Sequence, residues 1–128
     1  MPDPTAMRNT LDAYVESFNG RDRARWVELF AADARQEDPV GSPVNVGHDA
    51  IGAFCDAMEA MGQITISQVR TPILSESEAL LFLTAVTRTN GLVITVPFIV
   101  DHIVFDDSGH MTSLRSFWDS DAIETATE

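Results

Sequence analysis

No lysine occurs in this chain of 128 residues; all eight basic residues are arginine. That excludes Schiff-base chemistry, lysine-anchored pyridoxal sites and Walker-type phosphate binding, each of which needs a lysine amine. One cysteine, Cys55, leaves no intrachain disulfide and no cysteine metal cluster. Positive charge is scarce as well. Eight basic against 20 acidic residues give a net charge of −12, a poor match for nucleic acid or for an anionic membrane surface. Long apolar runs are missing. The longest, Leu92 to Val100, is broken by Thr95 and Pro97 and is far shorter than the roughly 18–20 residues of a membrane-spanning helix. No basic stretch followed by an apolar run marks the N-terminus. The expectation is a cytoplasmic protein with no nucleic-acid or membrane partner. No repeat and no low-complexity tract occurs.

What is present reads as one globular domain over residues 1–128, with 45% hydrophobic and 22% charged residues. Asp3 and Pro4 open a helix as cap and first residue. Met7, Leu11, Val15 and Phe18 follow at helical spacing, with Tyr14 on the same inward side. Asn19-Gly20 ends that helix, and Asp22 caps a short second one carrying Trp26, Val27 and Phe30. Ala34 to Val40 reads as extended, closed by Gly41-Ser42-Pro43. A third helix is expected from about Asp49, with Ile51, Phe54, Cys55 and Met58 on one face.

After Gly62 the period changes to two. Ile64 and Ile66 alternate with polar residues, and Glu78 to Arg88 is a long strand. Asn90-Gly91 is a strong hairpin signal. Leu92 to Phe105 returns, Asp106 to Gly109 turns, and Met111 to Trp118 is the last strand. The polar tail, from about residue 122 to 128, is expected to fray. Three early helices and a late antiparallel sheet make an α+β fold, a cone whose mouth suits an apolar pocket.

Among residues that carry chemistry, Asp101 stands out. Strand alternation puts it with Ile99, Ile103 and Phe105 on one face, and the other face is apolar too. A carboxyl buried there without a cation holds its proton and becomes a hydrogen-bond donor. Pairing with an arginine, or capping a bulge, is the structural alternative. Tyr14, the single tyrosine, is either a core residue or a second donor aimed into the pocket. Asp38, before a Pro and a Gly-Ser-Pro turn, is either turn chemistry or a general base at the rim. His48, His102 and His110 show no metal-ligand spacing. Phe30, Phe54, Phe82 and Trp118, taken singly, read as core.

In order along the chain, these residues resemble the Δ5-3-ketosteroid isomerases, within the nuclear-transport-factor-2-like (SnoaL-like) superfamily. The resemblance runs from about Leu11 to Trp118. It rests on Leu11-Asp12-Ala13-Tyr14-Val15, Leu29-Phe30-Ala31, and Glu37-Asp38-Pro39-Val40-Gly41-Ser42. Asp101-His102 with Phe105, and Leu114-Arg115 with Phe117-Trp118, complete it. The resemblance implies that Asp38 is the general base, Tyr14 the oxyanion tyrosine and Asp101 its protonated partner. It places Trp118 beside the bound steroid, with Phe54, Phe82, Ile103 and Phe105 as the expected apolar contacts.

It further implies no cofactor and no metal, a small apolar steroid substrate, and a homodimer. An open sheet face bearing Leu81 and Leu83 would suit such a dimer. The chain departs from the family at Cys55, where a tyrosine often supports the oxyanion tyrosine. Other readings on the same fold are a polyketide cyclase, a limonene-type epoxide hydrolase or a non-catalytic binder of hydrophobic ligands. A hydrolase needs an Asp-Arg-Asp cluster, for which Arg70, Arg88 and Arg115 are available.

Overall fold

A computed structural model describes residues 1–128. Helix α1 (Pro4–Asn19) starts where the carboxylate of Asp3 accepts from the Thr5 backbone N–H at 3.1 Å. It buries Met7, Leu11, Tyr14, Ser17 and Phe18. Its end is fixed tertiarily, because the Asn19 amide bonds both backbone groups of Ile66, at 2.8 and 2.9 Å. Helix α2 (Arg23–Glu28) is capped by Asp22 and buries Trp26 and Val27.

Strand β1 (Phe30–Glu37) begins four residues before the extended piece read from sequence. Its first residue, Phe30, is a register partner of Met111, a pairing no local pattern reveals. Strand β2 (Asn45–Val46) folds back on β1 and leads into α3 (Gly47–Met61), where Gly47 has φ 86°.

The remaining chain is sheet. Strands β3 (Gln63–Gln68) and β4 (Ile73–Ser75) both pair with β5 (Glu78–Thr89). Asn90 and Gly91, at φ 50° and 77°, make the tight turn into β6 (Leu92–Phe105). Both signs are those that a type I′ hairpin turn requires. Strand β7 (Met111–Phe117) follows, then a 3₁₀ turn (Ser120–Ala122) and β8 (Glu124–Thr127).

The main strand order is β2-β1-β7-β6-β5-β3, antiparallel throughout except for the parallel β1–β7 pair. The register shifts between Leu83 and Ala85 in the long β5–β6 ribbon, a bulge of the kind that bends sheets. The three helices meet the inner face of this curved sheet around a core of 20 buried residues. No helix is long and apolar enough to cross a membrane.

Two expectations are corrected. The tail does not fray: Glu124–Thr127 pairs with Leu92–Thr95. Along β6, strand β7 pairs with Val100–Phe105 only, so the other half of β6 offers a free edge. Backbone groups alone fill it, which is why the exposed, polar side chains of β8 gave no signal. The open sheet face does not carry Leu81 and Leu83. They are 0% and 2% exposed and lie opposite Asp101 and Ile99 on the inner face. The outer face carries Phe82 and Phe98, stacked at 6.2 Å, and the exposed Phe117.

Candidate active site

The inner face and the helices enclose a cavity of about 400 Å³, within the ~300–1,000 Å³ of small-molecule sites. Most of its wall is apolar: Phe18 from α1, Phe54 and Met58 from α3, Ile64 and Ile66 from β3, Leu83 from β5, Val96 and Ile99 from β6. Against this wall stand three titratable groups, Tyr14, Asp38 and Asp101, together with Ser116 and Trp118. No arginine and no histidine lines the cavity.

Each of the three arrives by a different route. Tyr14 sits on the buried stripe of α1, its ring packed on Trp26 at 5.7 Å and Phe30 at 6.4 Å. Burial first, then the charges of Asp101 and Asp38, hold its phenol well above its ordinary pKa. Its hydroxyl therefore stays protonated, as a donor must.

Asp101 points inward from the middle of β6 and is 2% exposed. No arginine pairs with it, and its Oδ1 has no hydrogen-bond partner. Desolvation, and behind it the charge of Asp38, pushes its pKa up to about 7. The burial read from strand alternation is found, and the arginine partner of the ion-pair alternative is not.

Asp38 follows the last residue of β1. The turn holding it is tied to β7 at several points. The Val40 N–H donates to the Ser116 carbonyl at 2.8 Å. The Glu37 carboxylate accepts from the Gly41 N–H at 2.9 Å and from Arg115 Nε at 2.9 Å. Trp118 Nε1 donates to Asp38 Oδ1 at 3.3 Å. Desolvation raises the Asp38 pKa, while the bonds from Trp118 and Ser116 lower it. Trp118 donates to Asp38, whereas Asp101 Oδ1 has no partner, so the local donors favour the charge on Asp38 and the proton on Asp101.

Of the expected apolar contacts, Trp118 and Phe54 line the cavity. Phe82, Ile103 and Phe105 do not. Phe82 belongs to the outer face, under the Arg70 guanidinium at 4.8 Å. Ile103 and Phe105 share the face of Asp101 but belong to the packed core and not to the cavity lining. The turn after Phe105 rests on the first half of α1, with Thr10 Oγ1 donating to the Gly109 carbonyl at 2.9 Å. Tyr14 lies one turn further along. Cys55 is buried, and burial pushes its thiol pKa up.

The residue that sequence reading missed is Ser116. Alternation back from Trp118 and forward from Leu114 puts it on the inner face, which was the available signal.

The remaining candidates are engaged elsewhere. Arg88 meets Glu128, Arg115 meets Glu37, and Arg70 lies over Phe82. His48 Nε2 bonds the Phe30 carbonyl at 2.8 Å, and His102 bonds Glu78. No cluster of three or more His, Cys, Asp or Glu is arranged to hold a metal ion.

A small α+β cone, closed by three helices around an apolar cavity with two carboxyls and a phenol, defines a known class: the nuclear-transport-factor-2-like fold. Residues 11–114 match the SnoaL-like domain, and the chain belongs to that family. It is 29% identical over 105 residues to a steroid Delta-isomerase of Nocardioides simplex, covering 82% of this chain and 83% of that one. Solved structures agree on the fold. One is SalBIII, described as an epoxide hydrolase/cyclase-like enzyme in pyran ring formation in the polyether salinomycin. It has a TM-score of 0.88 and 23% identity, over 98% of this chain and 100% of that one. Another is Mycobacterium tuberculosis RV0760c in complex with estradiol-17beta-hemisuccinate. Its TM-score is 0.83 with 22% identity, over 93% of this chain and 98% of that one.

Proposed function

We propose that this protein is a steroid delta-isomerase, which converts Δ5-3-ketosteroids to Δ4-3-ketosteroids by moving one proton from C4 to C6. The observation that carries this reading is the cavity's inventory of ionisable groups. One carboxyl has an indole donor in Trp118, the other is buried with an unpartnered Oδ1 and a pKa pushed up to about 7, the phenol is held neutral, and all three face an otherwise apolar space.

Asp38 removes the C4 proton. The electron pair moves through the carbonyl, and negative charge develops on the C3 oxygen as a dienolate. Tyr14 and neutral Asp101 donate hydrogen bonds to that oxygen. Surroundings without water make such bonds stronger than they are in water. Asp38 returns the proton to C6, and the double bond comes into conjugation with the ketone. The proton is conserved, so the steps need no external oxidant, reductant or cofactor. Trp118, bonded to Asp38, helps keep that carboxyl charged between turnovers.

The hydrolase alternative is weaker, since each arginine it would draw on is engaged outside the cavity. Support from relatives is the match to the Nocardioides simplex isomerase and the steroid-derived ligand of RV0760c. The proposed protein is a single-domain cytoplasmic homodimer, joined across the outer sheet face where Phe98 and Phe117 are exposed. The test is absorbance: incubation with a Δ5-3-ketosteroid should produce the ultraviolet band of a conjugated enone. Steroid binding without that band would leave a binder, not an isomerase.

A further inference from the structure

Ser116 is the residue common to both carboxyls. In β7 it is the register partner of Asp101, so the two side chains stand together on the inner face. It is 2% exposed. Its carbonyl accepts the Val40 N–H at 2.8 Å, two residues beyond Asp38, which draws the Asp38 turn onto the same point of the strand. Ser116 lines the same cavity as both acids, close enough to lower the pKa of each.

A serine hydroxyl has one proton to donate and lone pairs to offer. Two acids therefore compete for one donor. Asp38 has a second donor in Trp118, whereas Asp101 Oδ1 has none. The hydrogen-bonded arrangement that satisfies most groups has the hydroxyl donating to an ionised Asp38 and turning a lone pair toward a protonated Asp101.

We propose that Ser116 is a positioning residue that divides the two carboxyls into one charged and one neutral partner, through a single hydroxyl bonded to both. The inference rests on the acid and base roles given above. Few other charges bear on the pair. Tyr14 faces it from α1, with Cys55 of α3 behind the phenol. Glu37 with Arg115, Glu78 with His102, and the exposed Asp119 lie outside the cavity lining.

The experiment is a carboxyl-carbon NMR titration of Asp38 and Asp101 in the ligand-free protein, for wild type, Ser116→Ala and Ser116→Thr. A hydrogen bond to a charged group corresponds to about one to two pH units. In Ser116→Ala the Asp38 midpoint should rise by about that much and close on that of Asp101. Ser116→Thr keeps the hydroxyl and suits a strand, so it should restore the wild-type separation. Should Ser116→Ala fail to fold, Ser116→Cys, with its weaker donor, must show the same rise.

Unmoved midpoints in a folded Ala variant, or a folded Thr variant that behaves like Ala, overturn the proposal. In the absorbance assay, the acid limb of kcat/KM should follow the Asp38 midpoint. Midpoints that move in a protein with no isomerase activity support the division and remove the isomerase reading. Activity with unmoved midpoints removes the division alone.

Discussion

Asp101→Asn should stabilise the ligand-free protein at neutral pH and leave it unchanged in acid. Asp101 has an ordinary pKa of 3.8 and is pushed to about 7 in the fold. Below the lower value the carboxyl is protonated in folded and unfolded chains alike, and no ionisation penalty arises. Between the two values the unfolded chain releases the proton and the folded chain keeps it. Stability then falls with rising pH, by about 1.4 kcal/mol for each pH unit. Above the folded value the loss levels off.

Across that whole interval the loss adds up to about 4 kcal/mol, a large share of the ~5–15 kcal/mol that holds a domain together. At 2% exposure, solvent does little to screen the group. An amide has nothing to ionise, so the variant escapes this loss. Urea unfolding, followed by tryptophan fluorescence at several pH values from about 4 to 8.5, measures the difference. The gap should open as pH rises and reach several kcal/mol near pH 8. A constant gap, or a variant less stable than wild type at pH 8, would refute the claim that Asp101 is buried as a neutral acid.

Asp38→Asn should lower turnover in the absorbance assay by roughly 10²–10⁴-fold, the usual worth of a positioned general base, while steroid binding survives. Retained turnover would move the base elsewhere. Wild type should prefer an anionic naphthol over a neutral alcohol of similar size, and Tyr14→Phe should lose most of that preference in paired binding titrations. An unchanged ratio would leave Tyr14 as a core residue only. Ile103→Ala should cost about 2–5 kcal/mol in denaturant unfolding, as core truncations do, with ligand affinity unaltered in the folded variant. A folded variant that binds poorly would return Ile103 to the cavity wall.

Much of this was legible in local pattern because the local determinants are strong. Asp3 and Asp22 cap their helices as read, and Asn90-Gly91 takes the positive φ angles its hairpin needs. Alternation along β6 settled which residues accompany Asp101. What alternation does not carry is depth. Ile103 and Phe105 share the face of Asp101, yet they are core residues and do not line the cavity. Nor does it choose a face when both are apolar, as in β5. Leu81 and Leu83 turned inward and Phe82 outward because of their register against β6. The start of β1 and the whole of β8 depend on distant backbone partners, and Ser116 matters only once Asp38 is brought to it.

The parallel seam between β1 and β7 has a consequence for assembly. Trp118 and Asp38 are 80 residues apart in sequence, and Arg115 and Glu37 are 78 apart. Closing so long a loop is among the slower events of folding, because its entropy is lost before any contact compensates. The hold of α1 on the Gly109 turn spans 99 residues, but the β5–β6 hairpin depends on nearer neighbours and can gather without the seam. The Asp38 turn cannot, since its tethers belong to β7 and the residue after it. A chain arrested before that docking would own a cavity and most of its walls but no anchored base. Under the proposed mechanism, proton transfer then depends on that seam being closed.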